Sequence, residues 1–155
     1  MNIWQIISQI FPYAIILTMP LLITALGGLF SERSGVVNIG LEGLMVVGFF
    51  ASAIVIKGLE NTFPTAAIPI GLLAGVAAGA LFSLLHAFAS INLNANQVIS
   101  GTAINMMAGA ITVYLARTIT GSGNISIKIG VIRHTIPVLS KIPIIGPLFF
   151  TQTYW

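Results

Sequence analysis

The 155-residue sequence has no cysteine and no aspartate, and its only acids are Glu32, Glu42 and Glu60. Without cysteine there is no disulfide framework, no thiol nucleophile and no cysteine-ligated metal site. Two histidines and no aspartate leave few conceivable catalytic constellations. Charged residues make up 6% of the chain, against about 25% in an ordinary soluble domain. So few charges cannot cover a water-facing surface, which excludes a soluble globular enzyme. Disordered chains and nucleic-acid-binding modules are excluded as well, because both need charge or polarity. The net charge of +3 and the isoelectric point near 9.7 reflect the scarcity of acids. Six lysines and arginines spread over the chain make no patch. The phosphate-cradling pattern G-x-x-x-x-G-K-[ST] is missing too, so any ATP that drives this protein must be bound by another chain.

What the sequence does hold is apolar. Hydrophobic residues form 57% of it, and the mean hydropathy is +1.04. A helix needs about 20 mostly apolar residues to cross a hydrocarbon core of about 30 Å. Only helices and closed barrels satisfy their backbone in lipid, and barrel strands alternate polar and apolar. The runs here are long and unalternated, which predicts an all-α integral membrane protein with about four transmembrane helices. The spans fall at about residues 11–30, 36–56, 65–91 and 98–116, giving a membrane region over 1–116 and a loop and interfacial segment over 117–155. The start, MNIWQIISQIF, lacks the basic region of a secretory signal, so the chain is expected to keep its N-terminus. Pro20, in mid-span, predicts a kink.

Beyond Arg117 the composition turns to Gly, Ser, Thr and Ile, which predicts a loop with short strand-like or interfacial pieces. Lys128, Arg133 and Lys141 are its expected solvated face. The run IPIIGPLFF, residues 142–150, is too short to span and is broken by two prolines, as an interfacial or re-entrant segment would be. Tyr154 and Trp155 are of the types that favour the membrane interface.

Two kinds of residue stand out within the spans. Gly71, Gly75, Gly79 and Ser83 recur every fourth position, a small-residue face that permits close helix packing; Gly48 and Ser52 form a weaker pair. The others are polar groups that are expensive in lipid. Glu42 lies four residues after Asn38, on one face if both are helical. Gly35, Gly40 and Gly43 surround it and suggest a broken helix of the kind that builds transporter sites. The competing reading leaves Glu42 near the interface, paired with Arg33 or hydrogen-bonded locally. Asn105, central in the fourth span, either faces a pathway or bonds between helices. His86 has no second ligand, so it reads as an interhelical hydrogen-bonder or an interfacial residue and not as metal-binding. Asn96 and Gln97 are candidate helix caps.

The run ALGGLFSERSGVVNIGLEGLM, residues 25–45, resembles the signature of permease subunits of ATP-binding-cassette importers. The similar subgroup handles nucleosides of the guanosine type and simple sugars, and is related to the ribose and branched-chain amino acid permeases. Residues Glu32, Arg33, Gly35, Asn38, Gly40, Glu42 and Gly43 carry this first match. NANQVISG, with Asn96, Gln97 and Gly101, resembles a second signature, and PIIGPLF a third stretch. The chain looks like the amino-terminal half of such a permease, because nothing in it matches the later coupling helix that docks on the ATPase.

The resemblance implies a bacterial-type inner membrane location and no cofactor in this chain. It also implies a cytosolic ATPase that binds ATP, a second permease subunit and an extracellular solute-binding lipoprotein as partners. Polarity within apolar spans makes Asn38, Glu42 and Asn105 the candidates for lining or gating the path. A small scaffold or channel-like protein working without ATP, or a non-functional truncated permease, is the alternative. The resemblance also implies that residues 31–35 and 92–97 face the cytoplasm and the N-terminus lies outside. The basic residues of the 117–141 loop favour the reverse under the positive-inside rule.

Overall fold

The computed structural model describes residues 2–131, 135–143 and 145–150. Arg133, Tyr154 and Trp155 lie outside them, with the solvated and interfacial places expected of those residues. Among the described residues four α-helices follow in order: α1 (Ile3–Arg33), α2 (Leu41–Leu59), α3 (Pro64–Ala87) and α4 (Gln97–Thr120). No strand occurs among the described residues, including those of the segment 118–141, where a loop with short strand-like or interfacial pieces was expected. All four helices, α3 together with the π-helical turn Phe88–Asn92 that ends it, are long and apolar enough to cross a membrane. The protein is an all-α, multi-pass membrane protein. At 1.5 Å per residue, α1 rises about 46 Å and α2 about 28 Å. Against a core of about 30 Å, α2 falls just short of the full thickness and α1 must tilt or protrude.

The helix ends follow from local chemistry. At the end of α1, Gly35 takes a positive φ of 87°. The Gly35 N–H donates to the Glu32 carbonyl (3.0 Å) and the Val36 N–H to that of Ser31 (3.2 Å). That pair of bonds is a Schellman motif, which closes a helix with glycine in the left-handed region. The second helix then starts at Leu41, later than the hydropathy run that begins at Val36. The reason is the turn in between: Asn38 Oδ1 accepts the Gly40 N–H at 3.0 Å, which commits the backbone to a bend. Asn38 and Glu42 therefore do not share a helical face, contrary to the spacing argument. Pro64 opens α3 at the first helical position, where its missing N–H is not needed. Asn96 caps α4, its Oδ1 accepting from Val98 N (2.9 Å) and Ile99 N (3.2 Å). Gly121, at φ 72°, ends α4 past Arg117, where a loop was expected to begin.

By its internal contacts the chain divides into two units, Met1–Ile23 with Val131–Trp155, and Thr24–Gly130. In the first, α1 runs helical through Pro12 and Pro20. The short apolar segment ends in a π-helical turn, Gly146–Phe150. Its Phe149 ring meets Phe11 edge-on, with centroids 5.0 Å apart.

In the second unit, α2 packs chiefly on α3 and next on α4. The buried apolar residues there are Ala53, Ala67, Ile104, Ala108 and Ala116, and no large side chain is fully buried among the described residues. This is the core expected of helices in lipid. Hydrocarbon is as apolar as leucine, so association comes from close backbone approach and not from burying big side chains.

Candidate functional site

The site is built on the break before α2. Residues 36–40 carry no helix, and their backbone lies directly against the first half of α4. A Cβ at Gly101 would come 2.9 Å from Gly40 N and 3.1 Å from Ile39 Cβ. A Cβ at Gly43 would come 2.9 Å from both Asn105 Cα and the Ile104 carbonyl. Only glycine at these positions lets the two segments approach so closely.

Polar side chains of α4 then fasten the break. Gln97 Oε1 accepts the Val37 N–H at 2.7 Å. Asn105 uses both ends of its amide: Oδ1 accepts the Gly43 N–H at 2.7 Å, and Nδ2 donates to the Ile39 carbonyl at 3.0 Å. The first N–H groups of a helix have no partner within it, and Gly40, which precedes α2, has no side chain to cap them. Asn105 fills that role from another helix, reaching the third residue of α2 as a capping side chain would. A buried backbone N–H left without a partner costs about 1–3 kcal/mol, so the bond matters to where α2 can begin.

Glu42 follows at the first turn of α2 and is exposed. An acid there is favoured by the partial positive charge of the helix N-terminus. Among the described residues it forms no ion pair, with Arg33 or any other group. The geometry thus brings Asn38, Gly40, Gly43, Gln97, Gly101 and Asn105 together around one break. Glu42 lies beside them, and Glu32, Arg33 and Gly35 form the turn that leads in.

The small-residue face of α3 meets α2 on another side. A Cβ at Gly75 would come 2.8 Å from the Gly48 carbonyl oxygen, and one at Gly71 would strike Ile56. The two small-residue sets, Gly71 with Gly75 and Gly48 with Ser52, therefore face each other. Gly79 has more room, with the Leu44 carbonyl 3.6 Å from its built Cβ. Ser83 instead bonds the Ala80 carbonyl of its own helix at 2.7 Å. His86 is 3% exposed and shares a hydrogen bond with Ser100 through Nδ1 at 3.0 Å. No cluster of three or more potential metal-ligating side chains occurs among the described residues.

Sequence reasoning passed over Glu60, the third acid. It is 5% exposed and paired with Lys57 at 2.6 Å. The spacing of three residues between them was the available signal.

Residues 10–144 match the family described as branched-chain amino acid transport system / permease component. The chain is 46% identical to the guanosine ABC transporter permease protein NupQ of Bacillus subtilis, over 100% of this chain and 49% of that protein. It is 41% identical to the nucleoside ABC transporter permease protein NupC of Lactococcus lactis, over 99% of this chain and 48% of that protein. A putative glucose ABC transporter permease protein, TsgC13 of Haloferax volcanii, is 35% identical over 86% of this chain and 39% of its own length. No solved structure matches. The chain spans about half the length of the curated relatives it matches. With the family matched over most of the sequence and these relatives aligned along it, the chain belongs to the branched-chain amino acid transport system permease family.

Proposed function

We propose that this chain forms part of the solute path of an ATP-driven importer whose substrates are nucleosides. The observation that carries this reading is its 46% and 41% identity, along the length of the chain, to permeases named for guanosine and nucleosides. Simple sugars come second, supported by the lower identity to the putative glucose permease. In this reading the chain sits in a bacterial-type cell membrane. A cytosolic ATPase binds ATP, a second permease subunit completes the path, and an extracellular lipoprotein delivers solute.

Within that assembly, Asn38, Glu42 and Asn105 act at the path. The hydrogen-bonded break supports a division of labour among them. Asn38 and Asn105 already spend polar atoms on the backbone around α2, so they shape the wall. Glu42 is exposed with no ion pair among the described residues, so it is the group free to meet a solute hydroxyl or to close a gate.

Uptake of labelled guanosine tests this. The chain is expressed with the remainder of the permease, its ATPase, partner subunit and lipoprotein. ATP-dependent uptake competed by other nucleosides and not by glucose is expected. Competition by glucose alone would overturn the substrate class, and uptake that ignores ATP depletion would overturn the importer. Glu42→Gln and Asn38→Ala should each lower uptake with assembly intact. If both leave it unchanged, the site assignment fails while the importer reading stands.

A further inference from the structure

Glu60 follows α2 directly, outside the membrane-spanning helix, and plays no part in the path described above. Its carboxylate is held from two sides. Lys57 Nζ donates to Oε1 at 2.6 Å. The backbone N–H of Lys128 donates to Oε2 at 2.7 Å, across 68 residues of sequence. Lys128 belongs to residues 124–130, which form neither helix nor strand. Burial alternates along them: Ile125, Ile127 and Ile129 are half-buried, whereas Ser126, Lys128 and Gly130 are exposed. A period of two is the mark of an extended segment laid on a surface. Its approach is set by Gly121 and Gly123, both at positive φ. Among the described residues no strand lies beside the Lys128 N–H, and a buried carboxylate takes the place of one.

We propose that Glu60 is a carboxylate latch that fastens residues 124–130 across the α2–α3 turn, and that protonating it releases the segment. Ionised, the carboxylate is an acceptor on both oxygens and serves an ammonium and an amide at once. Protonated, it loses the charge that pairs with Lys57 and one of its accepting positions. The charged groups facing it are Lys57 from α2 and Lys128 from the segment itself. The only titratable residue of α3 is His86, near the far end of that helix. Arg117, the charged residue of α4, packs instead on Gly123, where a Cβ would lie 3.1 Å from its Cγ. The hydrogen bond from Lys57, followed by that from Lys128, holds the Glu60 carboxyl below the ordinary glutamate range, and burial opposes them. A carboxyl whose value is lowered by folding binds its proton more readily once released. The latch is therefore fully engaged above the ordinary glutamate value and opens as pH falls through the lowered one.

The full chain in lipid nanodiscs provides the test. Its lack of cysteine allows a single nitroxide at Ser126→Cys, on the exposed side of the segment. The label should be immobile at neutral pH and become mobile on acidification. Glu60→Gln keeps the shape and one acceptor but not the charge, so its label should be more mobile at neutral pH and insensitive to acid. Lys57→Met should move release to higher pH. At neutral pH, Glu60→Ala should lower the hydrogen-exchange protection of the Lys128 amide about ten- to a hundredfold, the range for losing a hydrogen bond to a charged group. Unchanged protection and label mobility in both Glu60 variants would overturn the latch. So would acid release that persists in Glu60→Gln, because another group would then be titrating.

Discussion

The two faces of α2 solve the same problem by different means. Toward α3, the contact is close backbone approach: Gly48 against Gly75, and Gly71 against the Ser52 carbonyl with the Ile56 side chain laid on it, and no side-chain hydrogen bond joins the two helices among the described residues. Toward α4, glycines also bring the chains close, but Asn105 and Gln97 then bond the backbone of the break. The first face needs only shape, because both helices are complete there and their amides are already paired. The second needs polar side chains, because residues 36–40 have left the helix and their backbone groups have no partners within it. A helix in lipid can thus be held by fit alone, whereas a broken helix must be held by hydrogen bonds as well.

Substitutions that add volume should separate these two faces, the largest effect coming first. Gly75→Leu drives a branched side chain into the Gly48 carbonyl, which helix backbone cannot yield, and should cost about 3 kcal/mol or more. Unfolding of the full chain in mixed micelles, followed by denaturant titration, reads this directly. Gly43→Ala places a methyl group against Asn105 Cα and the Ile104 carbonyl and should cost about 1–3 kcal/mol. Combining it with Asn105→Ala in a double-mutant cycle sharpens the comparison: a coupling of about 0.5 kcal/mol or more is expected at this face. Gly75→Leu with Asn105→Ala should instead be additive.

Asn105→Leu removes both amide bonds, at about 0.6–1.7 kcal/mol for interhelical bonds in membranes. Asn105→Asp keeps the acceptor for Gly43 N–H but sets a carboxylate against the Ile39 carbonyl, so it should not rescue stability. The smallest effect belongs to Gly79→Ala, where a Cβ has 3.6 Å of room and alanine favours helix by about 1 kcal/mol over glycine. Loss of stability there comparable to Gly75→Leu would show that the small-residue face is tighter than its geometry.

Much of this was legible in the sequence where local chemistry decides. Runs of apolar residues marked four helices, Asn96 was readable as a cap, and the density of glycine around Glu42 pointed to a break. The pattern of small residues on α3 was equally readable, although Ser83 continues the spacing and turns back onto its own helix. The placement of Asn38 was not readable. Counting four residues to Glu42 assumes a helix, and it is the positive φ of Gly35 and the side chain of Asn38 itself that prevent one. Pairings across long stretches were also invisible. Neither the polarity of Asn105 nor that of Glu60 says which backbone amide it will meet, because that choice is made when helices pack and not within any window of sequence.

The clasp at the break also sets an order of events during synthesis. Gly43 and the Asn105 side chain that caps it are 62 residues apart. At translation rates of about 5–20 residues per second, α2 emerges about 3–12 s before its cap exists. Its contact with α3 needs nothing from α4 and can form in that interval. The first turn of α2 meanwhile lacks that cap, and its Gly43 N–H gains its partner only when the fourth helix arrives. Membrane insertion of this chain is then not four independent crossings. The second crossing is completed by the fourth.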